Sequence, residues 1–353
     1  MTRRFFLATL LALAASARAD VPRRLRRILR LRSGNVEEVP LEEYVAAVLP
    51  AYRTAPSIRA VIERIPSSVA HVIVVNDDSP DGVADAASSA GDPRVVVLSH
   101  ETNRGVGGAM KTGFDRALEL GADIVVKLDS DGQMDPALIP SLVESLAVGE
   151  ADLAKGNRFA DLAVITAMPL LRRAGNLALS FLVKAASGYW SLFDPCCGYI
   201  AVTSDLLKDI RRDRLADRYF FEISLLCESY RAEGVVLDVA MHPRYGDEIS
   251  SLSPTRSLFE FSGRLLGRLL SRIGSTYFLR DFNVVSVFIS AGVPLMAFGV
   301  FWSAYHWYRS ITTNVVASTG TVMIGTLAII LAFQFLLQAV VLDVQNEPGR
   351  QER

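Results

Sequence analysis

Three cysteines and four histidines in 353 residues leave little to build with. Cys196 and Cys197 are neighbours and Cys227 stands apart, so no disulfide framework can be drawn from them, and a reducing compartment suits the chain. His71, His100 and His242 lack the spacing of a zinc site and are assigned no chemistry. Charge is also scarce on balance: a formal net charge of -1 gives no basis for a nucleic-acid partner. What the chain has in plenty is apolar residues, 50% of the total with a mean hydropathy of +0.28. Soluble domains rarely average so high, so one sizeable domain is expected beside a greasier part.

That part lies at the C-terminus. Val284 to Tyr305 and Thr319 to Val341 carry no formal charge, and about twenty-two residues of helix span roughly 33 Å, enough to cross a bilayer core. Before them, Arg256, Arg264, Arg268, Arg272 and Arg280 are spread among Leu, Phe and Ile, the pattern of a basic amphipathic helix lying along lipid. The loop between the spans has only Arg309, beside His306, Trp307 and Tyr308, which read as an interfacial aromatic belt. Positive charge belongs inside, so both ends and the main domain are expected to face the cytoplasm. A buried pair of hydrophobic helices is the bland alternative.

The N-terminus points the other way. Arg3 and Arg4, the apolar run Phe5 to Ala15, and Ala17-Arg18-Ala19 imitate a cleavable export signal, and the basic segment Pro22 to Arg32 could bind anionic lipid. Residues 1 to 40 are read as a membrane-proximal leader or the result of an upstream start, not as a cleaved signal.

Chemistry concentrates in Ile124 to Pro136, IVVKLDSDGQMDP. A short β-forming run ends in Asp129, Ser130 and Asp131, then Gln133, delivering two carboxylates to the carboxyl end of a strand, where open α/β sheets bind ligands. Hard cations such as Mg²⁺ prefer oxygen ligands of this kind and bridge them to phosphate. An acidic turn is the bland reading. Other strands discharge polar residues in the same way: Val45 to Leu49 into Pro50, Ala51 and Tyr52; His71 to Val75 into NDDSPDG; Arg94 to Leu98 into Asn103, Arg104 and Gly105. Helical stretches near Ile58 to Ile65, Val83 to Ser89 and Ala109 to Leu120 alternate with them, which predicts a parallel sheet with helices on both faces.

Gly105 to Thr112, GVGGAMKT, nearly matches the phosphate-cradling pattern GxxxxGK[ST]. Met110 stands where the second glycine is required, and its side chain would obstruct amides from wrapping a phosphate. The glycines are expected instead to let a helix start pack closely on the sheet, with Lys111 facing phosphate or solvent.

Together these segments resemble the family 2 glycosyltransferases of GT-A fold, and within them the polyprenyl-phosphate glycosyltransferases of the dolichol-phosphate mannosyltransferase kind. The likeness covers about Val45 to Leu252. VNDDSPDG is similar to the family's VDDGSxDG, with Asn76 in place of its first aspartate, so base and ribose recognition carries over to Asp77 alone. NRGVGGAMKTG resembles NxGxxxAxxxG, LDSDGQMDP resembles DxDxQxDP, and GNR at Gly156 to Arg158 and DPCCGY at Asp194 to Tyr199 resemble the GxR and acceptor-side motifs. A QxxRW-like segment of polysaccharide synthases is not found, and Ser251 stands where members often carry lysine.

The resemblance implies an α/β, Rossmann-like, mainly parallel sheet flanked by helices over 41–252. An amphipathic segment over 253–282, two transmembrane helices over 283–344 and a tail over 345–353 would follow. It implies inverting transfer of a sugar from a UDP- or GDP-sugar to a polyprenyl phosphate at the cytoplasmic membrane, with Mg²⁺ or Mn²⁺ on Asp129, Asp131 and Gln133. Pro50, Tyr52, Asp77, Lys111 and Asp129 would face the donor. Arg158, Arg172, Arg173 and Arg244 would face the acceptor phosphate, since a guanidinium grips phosphate oxygens in pairs. Glu222 would orient the acceptor, act as base, or pair with an arginine. Asp135, before Pro136, is read as a helix cap rather than a ligand. Membrane lipid is an expected partner and a homo-oligomer is left open. A scaffold that binds nucleotide sugar or lipid without turnover, or a polysaccharide synthase, remains the alternative.

Overall fold

A computed structural model describes residues 44–159, 170–241 and 254–349. The expectations for residues 1 to 40, His242, Arg244, Ser251 and the tail's last four residues fall outside the described residues, as do the side chains of Arg172 and Arg256. The described chain divides into two compact units, one built mainly before Phe261 and one comprising Ala185–Trp190 with the segment from Ser262 onward.

In the first unit the strand and helix alternation appears as read. β1 (Val45–Ala51), α1 (Ala55–Glu63), β2 (His71–Asn76), α2 (Val83–Ser88), β3 (Val95–Ser99), α3 (Val106–Glu119), β4 (Ile124–Lys127), α4 (Ile139–Ala147) and β5 (Leu153–Asn157) are followed by α5 (Leu170–Ser187), β6 (Ile200–Thr203), α6 (Ser204–Asp209), α7 (Phe221–Arg231) and β7 (Val236–Ala240). Strands rich in Val, Ile and Ala with both faces covered are what a buried parallel sheet requires. Val72 to Val75, for example, are wholly buried.

The seven strands lie in the order β3-β2-β1-β4-β6-β5-β7. β3, β2, β1 and β4 are mutually parallel, β5 and β7 pair in parallel, and β6 runs antiparallel between β4 and β5. The sheet is therefore mainly parallel, as expected, with one reversed strand. A core of Val, Ile, Leu and Ala from β1, β2, β4, α1 and α4 fills one face.

Proline is usually excluded from an inner strand because it donates no ladder hydrogen bond. Pro50 is tolerated because β4 pairs with β1 only as far as Val48. Beyond that point Ser130 Oγ donates to the Pro50 carbonyl at 2.7 Å. The strand thus continues past its neighbour and carries Ala51 and Tyr52 above the sheet.

The second unit holds the end of α8 (Pro254–Ile273), a π-helical turn at Gly274–Arg280, α9 (Val284–Thr313) and α10 (Thr319–Gln345). α9 and α10 are long and apolar enough to cross a membrane. Both outrun the expected spans, so Trp307, Tyr308 and Arg309 lie in the last turns of α9 and not in a loop. Asn283 caps α9 through a reciprocal pair of hydrogen bonds with Ser286.

The expected amphipathic segment needs one correction. Arg264 and Arg280 are exposed, but Arg272 is buried and its guanidinium holds both oxygens of Asp343, at 2.7 and 2.8 Å. The same carboxylate accepts from Tyr277 Oη at 2.5 Å and Trp190 Nε1 at 2.9 Å. A buried carboxylate needs its hydrogen-bonding capacity filled, and both oxygens of Asp343 are engaged here.

Candidate functional site

The loops at the carboxyl ends of β1, β2 and β4 and the start of α3 surround a cavity of about 380 Å³. Pro50, Tyr52, Asp77, Asn103, Gly105, Asp129, Ser130, Asp131, Arg218 and Tyr219 are among its lining residues. It opens where the strand ends predicted it.

Local hydrogen bonds fix each loop. Ser130 is buried between Asp129 and Asp131; besides Pro50 it meets Thr54 Oγ1 at 2.9 Å, and its carbonyl accepts from Ser57 Oγ at 2.8 Å. The middle residue of the DSD segment is therefore an anchor, and the two aspartates beside it line the cavity. In the NDDSPDG loop, Asp81 accepts from the Ala55 amide at 2.8 Å and from Ser79 Oγ at 2.6 Å, while Ser79 Oγ accepts from the Arg53 amide. Burial opposes this carboxylate's charge slightly, but the hydrogen bonds from Ser79 and Ala55 outweigh it and hold its pKa below the usual range.

Asp77 lines the cavity but spends its carboxylate on the protein. One oxygen accepts from the Arg104 amide (2.9 Å) and meets His100 Nδ1 (2.7 Å); the other accepts from the Gly105 amide (2.7 Å). His100 continues to Thr112 Oγ1 at 2.9 Å, and Asn103 Nδ2 donates to the Asp77 carbonyl. His100 therefore has a part that its isolation in sequence gave no sign of: it ties β2 to α3.

Lys127 is the least expected member. Its ammonium, 3% exposed, donates to Asp129 Oδ1 at 2.5 Å and to the Gly198 carbonyl at 3.1 Å, and lies 3.4 Å from Glu222 Oε1. Burial alone would depress its pKa; the Asp129 and Glu222 carboxylates more than reverse this and raise it, so the amine stays charged. One cation thus joins three motifs that are far apart in sequence. A signal was present, because residues two apart on a strand share a face and Lys127 precedes Asp129 by two. Glu222, at the start of α7, is paired with this lysine, and among the described residues no arginine pairs with it.

The structure brings Pro50, Tyr52, Asp77, Asp129 and Asp131 to one cavity, with Glu222 reached through Lys127. Other expected members lie elsewhere. Lys111 forms an ion pair with Asp217 and does not line the cavity. Arg158 is gripped by Asp194, Nε to Oδ2 at 2.7 Å and Nη2 to Oδ1 at 3.2 Å, so it joins the GNR and DPCCGY segments to each other. Gln133 engages Asp131 through its backbone amide at 2.9 Å and is not a lining residue. Arg173 lies on α5, partly buried, and is not a lining residue. Asp135 caps the 3₁₀ turn at Pro136–Leu138, accepting from the Ala137 amide at 3.2 Å, and pairs with Arg64 at 2.5 Å, in keeping with its reading as a cap.

The glycine segment behaves as expected of a packing element. A methyl group on Gly113 would strike Val48 of β1, and one on Gly107 would strike the Ala216 carbonyl. The Gly107 and Gly108 amides donate to the Asp217 carbonyl at 2.7 and 3.0 Å, so the groups a phosphate cradle would offer are already used.

Burial pushes the Cys196 thiol up to about 12 and that of Cys197 upward as well, which disfavours the thiolate at both, and none of the three cysteines is in a disulfide among the described residues.

Among the described residues no three His, Cys, Asp or Glu side chains converge into a ready-made metal cage. Two carboxylates on one wall of an open cavity nevertheless fit a hard divalent cation that draws its other ligands from phosphate and water.

Comparison with known proteins places this geometry. Residues 46–211 match the glycosyl transferase family 2. Undecaprenyl-phosphate mannosyltransferase of Micrococcus luteus is 33% identical over 200 residues, 55% of this chain and 81% of that one. UDP-N-acetylglucosamine–dolichyl-phosphate N-acetylglucosaminyltransferase of Methanococcus voltae is 29% identical over 193 residues, 50% of this chain and 76% of the relative. Among solved structures, glucosyl-3-phosphoglycerate synthase of Mycobacterium tuberculosis in complex with uridine diphosphate superposes with a TM-score of 0.50 at 25% identity, covering 66% of this chain and 83% of that one. The mainly parallel sheet, its flanking helices and the cavity at the strand ends are those of a GT-A enzyme, and the chain belongs to glycosyl transferase family 2.

Proposed function

We propose that this glycosyltransferase moves a sugar from a UDP- or GDP-sugar to a polyprenyl phosphate, with inversion and with a divalent cation, at the cytoplasmic face of a membrane that α9 and α10 cross. The observation that carries the reading is the gathering of Tyr52, Asp77, Asp129 and Asp131 around one cavity at the sheet's carboxyl edge. The two relatives' names, which specify undecaprenyl phosphate and dolichyl phosphate, support the acceptor class. The paired apolar helices support a lipid-borne acceptor.

Asp129 and Asp131 would hold the cation, which when bound supplies positive charge to the departing diphosphate. The chain's own residues do the rest. Tyr52 offers a ring face at the cavity rim, under the Arg53 guanidinium at 5.3 Å. Asp77 keeps the Asn103–Gly105 wall in place. Lys127 fixes the direction of Asp129 and balances the charge of Glu222. The acceptor arrives as an anion and needs little deprotonation, which agrees with a site whose late acid is already ion-paired. Attack by its phosphate oxygen on the face opposite the diphosphate inverts the anomeric centre.

The test is incubation of purified protein with Mg²⁺ or Mn²⁺, UDP- and GDP-sugars and undecaprenyl phosphate, with mass spectrometry of the lipid. Wild type should yield a glycosylated lipid phosphate. Asp131→Ala should yield none while keeping its fold and membrane association. Normal turnover by that variant would remove the carboxylates from the mechanism.

A further inference from the structure

Phosphate ligands need positive charge, and this cavity is lined by three carboxylates: Asp77, Asp129 and Asp131. Two of the cations expected to answer them are committed elsewhere, Lys111 to Asp217 and Arg158 to Asp194. Lys127 is buried beneath Asp129. Of the described residues lining the cavity, Arg218 alone is cationic. It is exposed, and among the described residues its guanidinium has no ion pair or hydrogen bond.

The backbone that carries this residue is nevertheless well held. The Arg218 carbonyl accepts from the Phe221 amide at 2.8 Å at the entry to α7, and the Asp217 carbonyl beside it caps the first turn of α3. Gly105 makes room for it: a methyl group there would lie 2.9 Å from Arg218 Cγ, and the Gly105 backbone has a φ of +82° that disfavours other residues. The Gly105 amide is bound in turn to Asp77. An anchored backbone carrying an uncommitted planar fork, set beside the wall that Asp77 organises, is the arrangement that recognises a pair of phosphate oxygens.

We infer that Arg218 grips the diphosphate of the donor and sets the preference for a nucleoside diphosphate over the monophosphate. The inference rests on the nucleotide-sugar reading above. The acceptor phosphate is the competing ligand of the same chemistry. The diphosphate is favoured because Arg218 stands against Gly105 and the Asp77 loop, within the same lining set as Asp129 and Asp131.

The experiment is calorimetric titration of the full-length protein in detergent with UDP, UMP, GDP and GMP, in Mg²⁺ and again in EDTA, for wild type, Arg218→Gln and Arg218→Lys. Wild type should bind the diphosphate of its preferred base at least about tenfold more tightly than the monophosphate, a ratio typical of one added charge-assisted contact. Arg218→Gln should narrow that ratio to a few-fold in both buffers, and leave monophosphate affinity and the KM for undecaprenyl phosphate within about twofold. Arg218→Lys should fall between, since an ammonium keeps the charge but loses the fork. An unchanged ratio in Arg218→Gln, or a loss confined to the lipid KM, would overturn the inference while leaving the nucleotide-sugar reading intact. Wild type that binds neither UDP nor GDP would overturn both.

Discussion

Lys127 shows how one side chain can organise a site it does not line. Its ammonium reaches Asp129, Glu222 and the Gly198 carbonyl at once. Gly198 is glycine for this reason: a methyl group there would sit 2.8 Å from Lys127 Nζ and 3.3 Å from Asp129 Oδ2. Gly198→Ala should therefore turn Asp129 away and lower kcat roughly tenfold or more, at an overpacking cost of about 1–3 kcal/mol in stability. Steady-state rates and thermal unfolding check this; a variant as active as wild type would show that Lys127 does not orient Asp129. Asp238 on β7 offers a second test at this scale. Burial, with Asp194 adding to it, pushes its carboxyl up to about 6, against the Phe193 amide and Lys155, which pull it down; among the described residues the buried Oδ1 has no hydrogen-bond partner. The folded state thus holds this proton more tightly than the unfolded chain, whose aspartate titrates near ~3.9. Stability must fall as pH rises from about 4 to about 6 and remain lower above that. Asp238→Asn removes the group, so its melting temperature should change less than that of wild type between pH 5 and 7.

At the scale of elements, much was legible. Strand and helix alternation from Val45 to Lys127 follows from runs of Val and Ile ending in Asp, Asn, Gly and Pro, and the elements fall within a few residues of where those patterns put them. The carboxylates of Asp129 and Asp131 were legible because a strand end delivers them whatever the rest of the fold does. Pairings across long sequence separations were not. Composition announces that Arg158 and Lys111 are cations, but which anion each meets depends on the sheet order, and both met an aspartate of their own chain. The place of β6 between β4 and β5, and its reversed direction, likewise left no trace in local pattern. For the glycine segment, the deciding fact was that the Asp217 carbonyl, about a hundred residues downstream, fills the amides at the start of α3.

For the whole molecule, the segment from Ser262 onward and the short stretch Ala185–Trp190 form one unit. Its buried centre is Asp343, which takes hydrogen bonds from Arg272, Tyr277 and Trp190, while Arg272 also donates to the Ala185 carbonyl at 2.8 Å. Removing one partner of such a pair leaves a buried charge uncompensated, at about 3–5 kcal/mol. Asp343→Ala should lower the unfolding temperature in detergent sharply, and Arg272→Met with Asp343→Leu together should recover most of the loss. A neutral single variant would show that the pair carries no weight. This interleaving also bears on how the protein can be handled. Because Trp190 and Ala185 come from the middle of the polypeptide yet keep company with its last helix, no single scission yields two self-sufficient fragments. A soluble enzyme made by stopping before Val284 would retain an orphaned guanidinium and an indole with nowhere to donate, so a shortened version for crystallisation needs those positions redesigned as well.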